Sequence, residues 1–190
     1  MTAPLRVAVL VGSLRAESFT RKLAKAFIAN ASPHVQASIV EIGDLGLFNE
    51  DLETATPPPA WTAFRDAIRP VDAILLFTPE YNRSIPGVLK NALDVGSRPY
   101  GKNVFAGKPG AIVSTSPGPL GGMAANHALR QPLVFLDVIP MQQPEGYFSN
   151  VKDVLGEDGK ASSPEAVKRI TGFLRAFEAF AEKIRAGAKG

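Results

Sequence analysis

Cysteine is absent from the chain, and its absence excludes thiol nucleophiles, disulfide exchange, and zinc or iron–sulfur centres held by thiolates. Any redox chemistry must then be carried by a bound cofactor. Histidine is almost as scarce. His34 and His127 lie far apart and have no carboxylates at ligand spacing, which argues against a His-based metal site. No apolar run approaches the roughly 18 residues of a membrane-crossing helix. The opening MTAPLRVAVLVG lacks a basic segment followed by a small-residue cleavage site, so a cytoplasmic protein with no membrane partner is expected. Charge of one sign is missing as well: 21 Lys and Arg stand against 18 Asp and Glu, and the basic residues are scattered. Nucleic acid is therefore not an expected partner.

What is present is apolar and ordered. With 45% hydrophobic residues over 190 positions, the chain can bury one sizeable core but is short for two, so a single domain over 1–190 is expected. Strand-like apolar runs stand at 5–12, 36–42, 71–78, 109–116 and 136–142. Helical spacing appears at 18–31, 58–69, 86–97, 121–136 (with Pro132 as a kink) and 164–185. Such alternation predicts a doubly wound, five-stranded parallel sheet with helices on both faces, in the flavodoxin-like order. In that arrangement the ligand sits at the carboxyl ends of the first and third strands, where the winding reverses. The loops after strands one, three and four are the places to search.

The first loop, GSLRAESFTR, is neither a Walker loop nor GxGxxG, because the required Gly-Lys-Ser/Thr and the later glycines are missing. It offers Ser13, Arg15, Ser18 and Thr20 at a predicted helix start: hydroxyls, one guanidinium and exposed N–H groups, a set suited to a monophosphate. Ser18 fits a plain N-cap equally well. The second loop, TPEYNRSIPG, has Pro79 and Pro86 at its ends, and Asn82 and Ser84 favour a turn whose N–H groups point into the crevice. The third, STSPGPLGG, brings glycines that permit close backbone approach to a flat ligand or serve only as turn punctuation.

Taken together, GSLRAESFTRKLA, LLFTPEYNRSIPGVLKNALD and GKPGAIVSTSPGPLGGMAANHALRQPL resemble the NADPH-dependent FMN reductase family, in its branch of soluble quinone and chromate reductases. The likeness runs collinearly over residues 5–145, and the PEYNxSxPGxLKNALD pattern is its most specific part. The resemblance implies noncovalent FMN, a homodimer or homotetramer, and electron transfer from NADPH or NADH to small acceptors. Carried over by position, it implies that Ser13, Arg15, Ser18 and Thr20 hold the FMN phosphate. Thr20 stands where the family commonly has asparagine. Pro79, Glu80, Tyr81, Asn82 and Ser84 would line the isoalloxazine ring, and Ser116 and Gly118 would approach its pyrimidine end. Glu80 is alternatively structural, pairing with a basic residue across a subunit interface.

The expected activity is an FMN-dependent NAD(P)H oxidoreductase that reduces quinones, chromate or ferricyanide by a ping-pong mechanism. No catalytic side chain is assigned, because the cofactor reacts while the protein orients it. Arg83, Arg98 and Lys102 are candidates for positive charge near the ring, and equally for solvated surface groups. The alternative is a flavodoxin-type electron carrier without its own reductase activity. Such carriers are strongly acidic, and this chain is not.

Overall fold

The computed structural model describes residues 3–187. Its first strand, β1 (Leu5–Val11), shows why the run LRVAVLV must be apolar on both sides. Leu5, Val7, Val9 and Val11 enter one buried cluster, while Ala8 and Leu10 enter another on the opposite face of the sheet. A strand that feeds two cores cannot alternate apolar with polar residues.

After β1 come α1 (Phe19–Ala29), β2 (Val35–Ile39), α2 (Pro59–Ile68), β3 (Ala73–Thr78), α3 (Gly87–Gly96), β4 (Pro109–Thr115) and α4 (Met123–Phe135). The chain continues through β5 (Ile139–Pro140), β6 (Gly146–Phe148), α5 (Val151–Val154) and α6 (Pro164–Gly187). The strand order is β2-β1-β3-β4-β5, all parallel, and β6 also pairs with β4. Helices α1 and α6 cover one face; α2, α3 and α4 cover the other. This is the doubly wound, flavodoxin-like architecture expected from the alternation of strands and helices. On the first face Phe27 is a hub, edge-on to Phe77, Phe148 and Phe173 at centroid distances of 5.1, 5.3 and 5.7 Å. On the second, α2 brings Trp61 and Phe64, and α3 brings Leu89, Ala92 and Leu93.

Two expectations need correction. The fifth strand does not run over 136–142; only Ile139–Pro140 pairs there, and the ladder resumes at Gly146–Phe148. Gly110 faces Pro140 and Val113 faces Gly146, so the two β4 residues between them oppose five, 141–145. Pro140 and Pro144 have no N–H to give to the ladder, which breaks an otherwise apolar edge segment. The second run, expected over 36–42 and buried on both faces, is the edge strand Val35–Ile39, with Gln36 and Ser38 exposed. Pro132 lies inside α4, and the helix continues for three residues beyond it.

Candidate functional site

The loops after β1, β3 and β4 leave neighbouring strands at their carboxyl ends, so the sheet order itself gathers them. Gly12 ties the first loop to β3 by donating its N–H to the Phe77 carbonyl at 2.8 Å. A Cβ at Gly12 would stand 3.1 Å from Leu89 Cδ2, so the strand-to-loop exit is tightly packed against α3.

Beyond Gly12 the chain turns into α1. Ser13, Ser18 and Thr20 are all buried. The hydroxyl of Ser18 accepts from the Arg21 N–H at 3.1 Å and caps the helix. Among the described residues, the hydroxyls of Ser13 and Thr20, the Arg15 guanidinium, and the N–H groups of Phe19 and Thr20 have no protein partner. These unsatisfied donors border a pocket of about 130 Å³. No acid stands in the first turn of α1. The nearby Glu17 is drawn to Lys22 Nζ at 2.5 Å, whose hydrogen bond holds its carboxyl below the usual value. Donor groups gathered at a helix start with no acid in its first turn are what a phosphate monoester requires, so the residues present fit the FMN phosphate. Arg21 does not join them; Glu41 holds its guanidinium and raises its pKa through their hydrogen bond.

The β3 loop supplies the second wall. Tyr81 and Ser84 exchange both backbone hydrogen bonds at 3.0 Å, closing a two-residue hairpin over Asn82 (φ 51°) and Arg83 (φ 62°). Left-handed conformation at both central residues marks a type I′ turn. Asparagine tolerates that region, whereas an arginine there carries backbone strain of about 1 kcal/mol. The Glu80 carboxylate bridges the hairpin tip and the start of α4. Oε2 accepts from Ala124 N at 3.0 Å and Ala125 N at 3.3 Å, and Oε1 accepts from Arg83 Nη1 at 3.2 Å. The third wall is the β4 loop, where Ser116 Oγ donates to the Gly118 carbonyl at 3.0 Å and that carbonyl also accepts from Asn150 N at 3.1 Å.

One pocket therefore brings together Ser13, Arg15, Ser18, Thr20, Pro79, Glu80, Tyr81 and Ser116. Asn82, Ser84 and Gly118 belong to the same loops but lie outside its lining. Phe19, Thr115 and Pro117 also line it and were not singled out from the sequence, although each neighbours a residue that was. A second, apolar hollow of about 430 Å³, with Leu14, Pro86 and Val88 in its wall, shares Ser13, Arg15 and Tyr81 with the first. Tyr81 is 48% exposed where the two meet. Arg83 stands beside the site. Arg98 and Lys102 do not; they follow α3, whose ten residues carry the chain about 15 Å away. Arg98 instead packs over Phe48 and Tyr100. Among the described residues, no three His, Cys, Asp or Glu side chains are grouped to hold a metal ion, and no helix is long and apolar enough to cross a membrane.

Residues 5–153 match the model of the family described as NADPH-dependent FMN reductase. A quinone reductase of Pseudomonas putida is 52% identical over 177 residues, covering 93% of this chain and 92% of that protein. A 2-hydroxy-1,4-benzoquinone reductase of a Burkholderia species is 41% identical over 181 residues, covering 95% and 98%. Among solved structures, the flavoenzyme NAD(P)H:(acceptor) oxidoreductase FerB from Paracoccus denitrificans superposes with a TM-score of 0.89 at 39% identity, covering 94% of this chain and 98% of that one.

Proposed function

Because the chain belongs to the NADPH-dependent FMN reductase family, and is thus an NAD(P)H-dependent FMN oxidoreductase, we propose that it reduces quinones to hydroquinones. The observation that carries this reading is the set of unpartnered donors at the start of α1: Ser13, Arg15 and Thr20 with the N–H groups of Phe19 and Thr20. The quinone reductases of Pseudomonas putida and Burkholderia support the substrate class.

Bound FMN supplies reversible two-electron chemistry. NAD(P)H gives up two electrons and one proton, a second proton comes from solvent, and the quinone leaves as hydroquinone. In this reading the chain's own residues bind and orient. Ser13, Arg15, Ser18 and Thr20 hold the phosphate end of the cofactor. Pro79, Glu80, Tyr81, Asn82, Ser84, Ser116 and Gly118 form the loops around its ring, with no side-chain acid or base assigned to the reaction. Chromate and ferricyanide are further acceptors in the proposal, since a shallow site with nearby Arg15 and Arg83 favours small anions over a particular hydrogen-bond pattern. We place the enzyme in the cytoplasm, in keeping with its lack of cysteine. We read it as a homodimer or homotetramer, supported by the exposed apolar residues Leu120, Met123, Val134 and Phe135 on and beside α4.

The test is direct. The purified protein should be yellow, release FMN on heating, and bleach on anaerobic titration with NADPH before regaining colour with a benzoquinone. Release of FAD, or no flavin uptake after reconstitution, would overturn the reading.

A further inference from the structure

Glu80 lines the flavin pocket, yet both of its carboxylate oxygens are committed elsewhere. The N-cap of α4 is Gly122, which is left-handed (φ 74°) and has no side chain to cap the helix. The first-turn N–H groups of a helix need acceptors. Here Oε2 of Glu80, 44 residues earlier in the chain, accepts from Ala124 and Ala125. Oε1 meets Arg83, the residue strained at the hairpin tip. The side chain is 14% exposed, so these contacts are made in partial shelter from water. Below the same helix turn, Asn126 is fully buried and its Nδ2 reaches Ser114 Oγ at 3.3 Å, so α4 is fastened to β4 as well as to the β3 loop.

We propose that Glu80 is a positioning residue for the flavin. Its carboxylate caps α4 from the β3 loop and fixes the Pro79–Ser84 segment against the β4 loop, so that two walls of the pocket are held as one unit. This rests on the FMN reading above. The capping also accounts for a carboxylate beside a ring that gains electrons: the partial positive charge of the α4 start and the Arg83 guanidinium neutralise it. A carboxylate free to face the ring would oppose reduction.

The test compares wild type with Glu80→Ala and Glu80→Gln by two readouts: amide hydrogen exchange at Ala124 and Ala125 in the flavin-free protein, and FMN affinity by fluorescence quenching. Alanine should speed exchange at both amides about tenfold and weaken FMN binding roughly tenfold, the loss that accompanies removal of a charge-assisted acceptor. Glutamine keeps an acceptor oxygen and should restore both values to within about threefold of wild type. If the alanine variant does not fold, Glu80→Asp, whose carboxylate is one methylene short, takes its place with the same expected direction. Unchanged exchange in the alanine or aspartate variant overturns the cap. Equal loss of FMN affinity in alanine and glutamine variants, with exchange unchanged, shows instead that the carboxylate acts on the ring directly. A wild-type protein that takes up no FMN defeats the cofactor reading, while the exchange contrast still decides whether Glu80 caps α4.

Discussion

Arg21 is held by Glu41 in a two-pronged pair, Nη1 to Oε1 at 2.7 Å and Nη2 to Oε2 at 2.6 Å, whereas Arg15, in the turn before α1, has no partner among the described residues. Two arginines six residues apart, Arg15 before α1 and Arg21 in it, therefore have different work. Arg15→Ala should weaken FMN binding roughly tenfold to a hundredfold, corresponding to about 1.5–3 kcal/mol for a charge-assisted contact. Arg21→Ala should change it less than about threefold. Fluorescence titration of the two flavin-free variants decides the matter, and equal, small effects would remove Arg15 from the phosphate site.

At the opposite end of the sheet Asp72 joins β1, β3 and α6. Burial alone would raise its pKa. Hydrogen bonds from the side chain and backbone of Arg6, and the charges of Arg6 and Arg185, outweigh burial and hold it below the usual value. A carboxyl whose pKa is lowered by folding stabilises the fold above its unfolded value, and that contribution disappears as pH falls through the folded one. Asp72→Asn should therefore cost about 1–2 kcal/mol at pH 7, with the gap from wild type closing below about pH 4. Urea unfolding at both pH values measures it. A gap independent of pH would show that the charge is not what matters.

The β4 loop contains glycines that look alike in sequence and differ in the structure. Gly121 has φ 58°, and a Cβ there would stand 2.8 Å from Ser149 Oγ and 3.0 Å from Ser149 N; at Gly118 the nearest atom is 4.0 Å away. Gly121→Ala should destabilise the flavin-free protein by about 2–4 kcal/mol, and Gly118→Ala by less than about 1 kcal/mol. Thermal unfolding of both variants tests the contrast.

Much of this arrangement is legible in the sequence because it is local. The Ser18 cap is read within a few residues, and the apolar runs at 5–12, 71–78 and 109–116 announce the strands Leu5–Val11, Ala73–Thr78 and Pro109–Thr115. What escaped is set by distance along the chain. Glu41 lies 20 residues from the arginine it holds, and Ala124 lies 44 from Glu80. No periodicity reports such pairs. The edge strand was misread for another reason: LDVIPMQ is apolar enough for a strand, but the prolines at 140 and 144 interrupt its ladder, and the resumption at Gly146–Phe148 is too short to carry a signal. Arg98 and Lys102 looked available for the site because sequence shows charge without direction; α3 carries them away from it.

The exposed apolar side chains on and beside α4 bear on assembly. Val134 is 77% exposed and Phe135 74%, with Leu120 and Met123 near half. A second copy that covers them removes apolar area from water. Light scattering at micromolar concentration should give a mass of two or four chains, and Phe135→Asp should shift it toward one. A wild-type mass near 20.2 kDa would contradict the assembly.

Steady-state kinetics should be ping-pong, with NAD(P)H reducing the enzyme and departing before the acceptor enters. The reason is spatial. The loops after β1, β3 and β4 border one pocket, and Arg15 and Tyr81 line both it and the adjoining hollow, so donor and acceptor are expected to reach a flavin bound there by the same approach. Donor and acceptor must use that approach in turn, and with no cysteine in the chain there is no thiol to store electrons elsewhere. Double-reciprocal plots against NADPH should stay parallel for benzoquinone, ferricyanide and chromate alike. Replacing Tyr81 with alanine widens the approach and should raise KM for a bulky quinone less than for benzoquinone. Intersecting lines for all three acceptors would mean that two sites are occupied together, and the shared approach past Tyr81 would then be wrong.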